Sequence, residues 1–354
     1  MRLKRALVLA VAALALGAPG EAGVKDRRLD IYWIDVEGGA ATLIVTPAGE
    51  SVLVDTGNPG SAPPGPEGRD PGRILRVATE VAGLRQIDDL VVTHFHLDHF
   101  GGAAEVADRI PVGVLFENPV DLAPEKERSS PALEPYRKIK VRRRVVIEPD
   151  LEIRLAGIIG TPAPRLRFLG SRQRFVESPE APANAAACER AVRKEPDASD
   201  NANSAVLLLE FGPFRFFDGG DITWNVEEAL VCPVDRVGPV DVYQADHHGL
   251  DLSNNPVLVR TLQPTVVVFN NGPRKGAERE SVATVRTTPS VKAVYQLHGN
   301  LVDGTLNTDP KRIANPGDPC QGQYIALSVD PDGARYTVSV PSTKHRQTFR
   351  TRGR

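Results

Sequence analysis

The chain has 354 residues, 41% of them hydrophobic and 25% charged, and a formal net charge of −2 at pH 7. That balance excludes a coiled coil, a collagen, a disulfide mini-protein and a polytopic membrane protein, and leaves ample length for a core. The near-neutral charge gives no whole-chain reason to expect a polyanionic partner.

The chain opens with the basic stretch Met1 to Arg5, an apolar run from Ala6 to Leu16, and small residues from Gly17 to Gly23. This is the layout of a secretory signal peptide, and the apolar run is too short to span a bilayer. Residues 1–23 are therefore expected to be removed on export. The mature protein would be mildly acidic, periplasmic or extracellular, with no stable membrane insertion. Three cysteines, Cys188, Cys232 and Cys320, lack CxxC spacing, so no zinc ribbon can be built from them. Cys188 and Cys320 lie in Pro-rich, loop-like surroundings, whereas Cys232 follows Ala229-Leu230-Val231 and reads as a buried thiol.

Short runs rich in β-branched and aromatic residues predict strands over 29–36, 42–46 and 51–54. After a Pro/Gly loop, Ile74, Val77, Ala78 and Val81 fall on one face of a helix over 73–82. A buried-type strand at 90–92 and a helix over 101–110 follow. Strands alternating with helices predict an α/β fold. Residues 118–203 carry many prolines and charge clusters and read as a loop-rich insertion, with a helix near 131–138 and strands near Val145 and Leu151. The basic run Arg137 to Arg144 is either a steering patch for an anionic substrate or a solvated face. Beyond it, strands are expected at 205–211, 214–217, 240–244, 266–269 and 291–297. Helices are expected at 226–231 and 256–262, with a further helix between the last two strands. A closing hairpin, 324–329 with 336–340, turns at Pro331-Asp332-Gly333. The folded domain is thus expected over 24–340. The basic tail 341–354 is expected to be disordered, and His345 within it irrelevant to chemistry.

The chemistry concentrates in Thr93-His94-Phe95-His96-Leu97-Asp98-His99-Phe100-Gly101-Gly102, between a strand and a helix. His94 and His96, two apart on extended chain, point the same way, while Asp98 and His99 turn toward a second point. Imidazole with carboxylate suits Zn²⁺ or a similar borderline cation. Only seven histidines occur in the chain, and three within six residues argue against a chance surface cluster.

HxHxDH followed by Gly-Gly resembles the metal signature of the metallo-β-lactamase superfamily. Val52-Leu53-Val54-Asp55-Thr56-Gly57 resembles its first motif, Phe216 to Asp221 the strand ending in a metal-bridging aspartate, and Val242 to Gly249 the strand delivering the last histidine. A finer likeness, in Asp35 to Ile44, Asn201 to Leu207 and His247-His248-Gly249, is to the extracellular domain of DNA-uptake competence proteins, although the usual Gly-Gln-Gly-Asp is altered here.

The resemblance implies a four-layer αβ/βα sandwich and two metal ions, Zn²⁺ or else Mn²⁺ or Fe²⁺, activating a hydroxide. It implies His94, His96, Asp98, His99, Asp221 and one of His247 and His248 as ligands. Asp98 would also orient the nucleophile, and Asp55 would brace the loop. The chain departs from the lactamases in having no histidine between His99 and His247. The third imidazole of the first site is then absent, with Asn203 or Ser204 near that point and His298, at a strand end, as a remote candidate. The expected activity is hydrolysis of small phosphodiesters without tight nucleic-acid binding, since only Tyr136 accompanies the basic run. A lactone or β-lactam hydrolase, or a metal-binding scaffold with little turnover, are the alternatives.

Overall fold

The structure, a computed structural model, describes residues 23–60, 69–178 and 180–352. The expected signal peptide lies almost wholly outside them. No described helix is long and apolar enough to cross a membrane.

The chain fills one sheet, passes to a second, and returns to the first. β1 (Leu29–Ile34), β2 (Thr42–Val45), β3 (Ser51–Val54), β4 (Ile87–Val91), β5 (Val112–Glu117) and β6 (Arg143–Val146) begin the first sheet. The second holds β7 (Glu152–Arg154), β8 (Arg165–Ser171), β9 (Arg174–Phe175), β10 (Val206–Phe211), β11 (Phe214–Asp218), β12 (Val242–Gln244), β13 (Val266–Phe269), β14 (Ala293–His298) and β15 (Ile313–Asn315). β16 (Tyr324–Val329), β17 (Arg335–Val340) and β18 (His345–Arg350) then complete the first, where β16 lies antiparallel to β1.

Both sheets bury both faces. Trp33, Phe116, Phe168, Phe214, Phe216 and Tyr295 belong to an apolar layer between them. Leu43, Leu53, Leu90, Phe95 and Phe100 pack the first sheet against its helices, and Phe217, Tyr243, Leu258 and Val267 do the same for the second. Three apolar layers make the expected four-layer αβ/βα sandwich. The wholly apolar strand β13, parallel to both of its neighbours, is what a sheet covered on both faces requires.

Three expectations are corrected. The tail is not disordered: β18 pairs with β17 along its length. Phe349 stacks on Tyr336 with centroids 5.4 Å apart, while Arg346, Thr348 and Arg350 alternate outward, charged as an edge strand usually is. His345 is engaged, its Nε2 3.3 Å from the Tyr295 hydroxyl. The stretch 118–203 is not only insertion, because β8 pairs with β10 inside the second sheet; its alternating Arg165, Arg167 and apolar residues hid it among charges. Cys232 is not a free thiol. It is bonded to Cys188 across a sequence separation of 44, and Cys320 is the free cysteine.

Candidate metal centre

The functional side chains leave the carboxyl ends of parallel strands, where open α/β sheets gather ligands. Asp55 follows β3, His94 to His99 follow β4, Asp221 follows β11, and His247 and His248 follow β12. Buried Asp55 organises the first loop. Its Oδ1 accepts from the Thr93 amide at 2.9 Å, and its Oδ2 lies 2.7 Å from both the Thr93 hydroxyl and His99 Nδ1. The His99 ring is thereby aimed so that Nε2 sits 3.1 Å from Asp221 Oδ2 and 3.3 Å from His248 Nε2. His248 Nε2 is also 3.3 Å from Oδ2 of both Asp98 and Asp221. His94, His99 and Asp221 form one group of potential ligand atoms, and Asp98, His99 and His248 another.

These atoms fit a cation better than they fit one another. His94 Nε2, Asp221 Oδ1 and His248 Nδ1 are buried without hydrogen-bond partners, a costly arrangement for groups this polar. Burial opposes charge on His99, yet Asp221, Asp55 and Asp98 outweigh it and hold its imidazolium well above the usual range. Burial and the neighbouring His99 push His94 well below its usual value, leaving a neutral imidazole. Burial raises the Asp221 carboxyl, but His248, His99 and His247 more than reverse that and keep it ionised.

His247 and His248 correct the sequence reading. Adjacent side chains should diverge, but both residues adopt left-handed backbone, φ 53° and 58°, and both rings turn toward Asp221. His247 Nε2 lies 3.6 Å from Asp221 Oδ2. Non-glycine residues in this region cost about 1–2 kcal/mol each, a strain concentrated at the site. Beside His247 lies Asn201, whose Nδ2 is 3.2 Å from its Nε2 and whose buried Oδ1 has no partner. Asn203 instead donates to Asp200, and the Ser204 hydroxyl accepts from the Asp221 amide.

His96 stays at the cluster, its ring centroid 4.7 Å from that of His94, whereas His298 stands apart from it. His96 lies beside His94, but its Nε2 is 3.3 Å from Glu127 Oε1, a carboxylate contributed by the short helix Glu125–Arg128. His298 is buried at the end of β14 near Asp35, with Nε2 3.8 Å from that carboxylate, and does not join the Asp221 cluster. Lys275 was missed: its ammonium contacts Asp98 Oδ2 from the loop after β13. Its signal was a basic residue in an Asn-Gly-Pro loop at a strand's carboxyl end. A cleft of about 470 Å³ lined by His96, Asp98, Lys126 and Glu127 opens beside these groups. The basic run is not part of its lining. Arg144 binds Glu117 and Lys138 binds Glu134.

An αβ/βα sandwich with a buried histidine and aspartate cluster at its strand ends defines a metal-site fold. Residues 34–165 match the family model described as the metallo-beta-lactamase superfamily, so this part of the chain is similar to that superfamily. The chain is 25% identical over 299 residues to ComE operon protein 3 of Bacillus subtilis (strain 168), covering 79% of this chain and 34% of that protein. The chain thus spans about a third of the curated relative's length. Similar solved structures include the metallo-beta-lactamase fold protein YhfI from Bacillus subtilis, at 11% identity and a TM-score of 0.45, covering 75% of this chain and 95% of that one. Another is a metallo hydrolase from the archaeon Ignicoccus hospitalis, at 13% identity and a TM-score of 0.43, covering 75% and 94%. The diiron β-hydroxylase CmlA from Streptomyces venezuelae is similar at 16% identity and a TM-score of 0.40, covering 75% and 52%.

Proposed function

We propose that the protein is an exported, metal-dependent hydrolase of small phosphodiesters. The observation that carries this reading is the convergence of His99, His247 and His248 on Asp221, with buried nitrogen and oxygen atoms left over beside it. Asp98, His99, His248 and Asp221 would hold one ion, and His94, His247 and Asp221 the other, zinc being the class that this donor set suits. When bound, such ions supply Lewis acidity toward the substrate and lower the pKa of water.

The chain's own residues do the rest. Asp55 fixes the His99 tautomer so that Nε2 faces inward. Burial raises the Asp98 carboxyl, but Lys275, His99 and His248 outweigh it and keep it ionised; at the cleft wall it orients the attacking water by accepting its hydrogen bond. Lys275, 40% exposed, swings from Asp98 to a non-bridging phosphate oxygen. The modest cleft suits a small ligand. The Cys188–Cys232 disulfide supports export, because such bonds persist in oxidising compartments.

The test is kcat/KM on a phosphodiester, a lactone and a β-lactam with one metal-loaded preparation. The phosphodiester should be preferred, and Asp221→Ala should abolish turnover and reduce metal at both positions. Faster lactone or lactam hydrolysis, itself lost in Asp221→Ala, would replace the substrate assignment. Full two-metal occupancy in Asp221→Ala would remove the bridging role.

A further inference from the structure

Away from the Asp221 cluster, three residues remote in sequence meet where the two sheets come together. Asp35 follows β1, His298 ends β14, and Cys320 lies between β15 and β16. One ligand atom from each lies within 4.8 Å of the others. Cys320 Sγ is 2.8 Å from Asp35 Oδ2, and His298 Nε2 is 3.8 Å from the same oxygen. Asp35 and His298 are fully buried, and both ring nitrogens of His298 lack a hydrogen-bond partner. A buried imidazole normally satisfies at least one nitrogen, so this ring is positioned for something that the protein atoms do not provide.

We propose that Asp35, His298 and Cys320 form a further cation site for a divalent transition ion of the zinc class. It shares no residue with the Asp221 cluster and does not depend on the hydrolase reading. Thiolate, imidazole and carboxylate are the three donor types that zinc takes. With Zn–S about 2.3 Å and Zn–N or Zn–O about 2.0 Å, tetrahedral donors stand about 3.3–3.5 Å apart, a spacing bracketed by the 2.8 and 3.8 Å separations here. Charge also matches. Arg73 and Arg69 offset two of the carboxylates Asp35, Glu37 and Asp70, to which they are paired. One negative charge remains, and deprotonated Cys320 adds a second, which balances a divalent cation. Arg73 reaches the Asp35 carbonyl, the Asp35 carboxylate, Glu37 and, at 3.5 Å, Cys320 Sγ, so it stands at the edge of the site with its charge against two of the three donors. Partly exposed Cys320 gives the ion a way in.

The site would also brace the main centre. Asp35 Oδ1 accepts from the Glu37 amide, and the same turn runs to Ala40, whose amide donates to the Asp98 carbonyl. At Gly39 a Cβ would stand 2.4 Å from that carbonyl oxygen, so the turn presses directly on the Asp98 loop.

Cys320 is the free cysteine and the Asp221 cluster contains no sulfur, so a sulfur signal reports this site alone. Purified full-length protein, loaded with Co²⁺ after chelation, should develop a near-ultraviolet thiolate-to-cobalt absorption. Cys320→Ser and His298→Gln should each abolish it, while Asp221→Ala should retain it. In the wild type, Zn²⁺ should slow modification of Cys320 by a thiol reagent at least tenfold. No thiolate–cobalt absorption with Cys320 reduced, persistence of the absorption in His298→Gln, or modification unaffected by Zn²⁺ would each overturn the site.

Discussion

Replacing Asp55 by Asn probes whether the strand-end cluster is built to present lone pairs. Asn keeps the shape and tolerates the left-handed backbone at this position, φ 60°. Its Oδ1 can still accept from the Thr93 amide. The other position changes from acceptor to donor, facing the Thr93 hydroxyl and His99 Nδ1, each 2.7 Å from Oδ2 in the native protein. The hydroxyl can rotate, so the fold should lose only about 1–2 kcal/mol. His99 cannot adapt without consequence: accepting at Nδ1 puts its proton on Nε2, the nitrogen facing Asp221 and His248. Removing the group that orients a ligating histidine costs about 10–100-fold in metal affinity, or about 1.4–2.7 kcal/mol. Competition against a chromophoric chelator measures this directly, with thermal unfolding of the chelated protein as the control for fold. An Asn variant that binds metal as tightly as the native protein would refute the idea that Asp55 sets the His99 tautomer.

Three further outcomes are expected. Replacing Cys188 and Cys232 together by Ala should lower unfolding free energy in urea by up to about 4 kcal/mol, the chain-entropy value for a loop closed across a separation of 44; an unchanged midpoint would contradict it. Phe349→Ala should cost about 3 kcal/mol, the low end for a buried Phe→Ala change, and expose the last strand to proteolysis, whereas a disordered tail would make the substitution silent. Burial raises the Asp218 carboxyl to about 7, so the folded state holds a proton that the unfolded chain releases near pH 4. Stability of the metal-free protein should therefore fall by up to about 4 kcal/mol between pH 4 and 7, and Asp218→Asn should flatten that slope.

Much of the sandwich could be read from the sequence because its strands are short, apolar and ended by Gly, Pro or Asp. His94, Asp98, His99 and Asp221 were legible for the same reason: each sits at a strand's carboxyl end. What escaped depends on geometry that no local pattern encodes. His247 and His248 converge only because both take left-handed backbone. His96 turns to Glu127, a partner fixed by a helix about thirty residues away. The Cys188–Cys232 bond and the meeting of Asp35, His298 and Cys320 depend on sheet closure rather than spacing. The terminal strand looked like a charged tail because its solvent face carries arginines while Phe349 alone anchors the inner one.

The return of the chain to its first sheet has a kinetic consequence. Leu29 pairs with Val329, so β1 lies beside a strand made some three hundred residues later. Until β16 arrives, one flank of β1 offers unpaired amides and carbonyls to any passing strand. Pairings this distant in sequence slow folding and lengthen the exposure of aggregation-prone intermediates. A polypeptide of this topology, made amino end first, cannot seal its first sheet until nearly the whole chain has emerged. It would benefit from a holding chaperone, and carboxy-terminal truncations should appear as insoluble material.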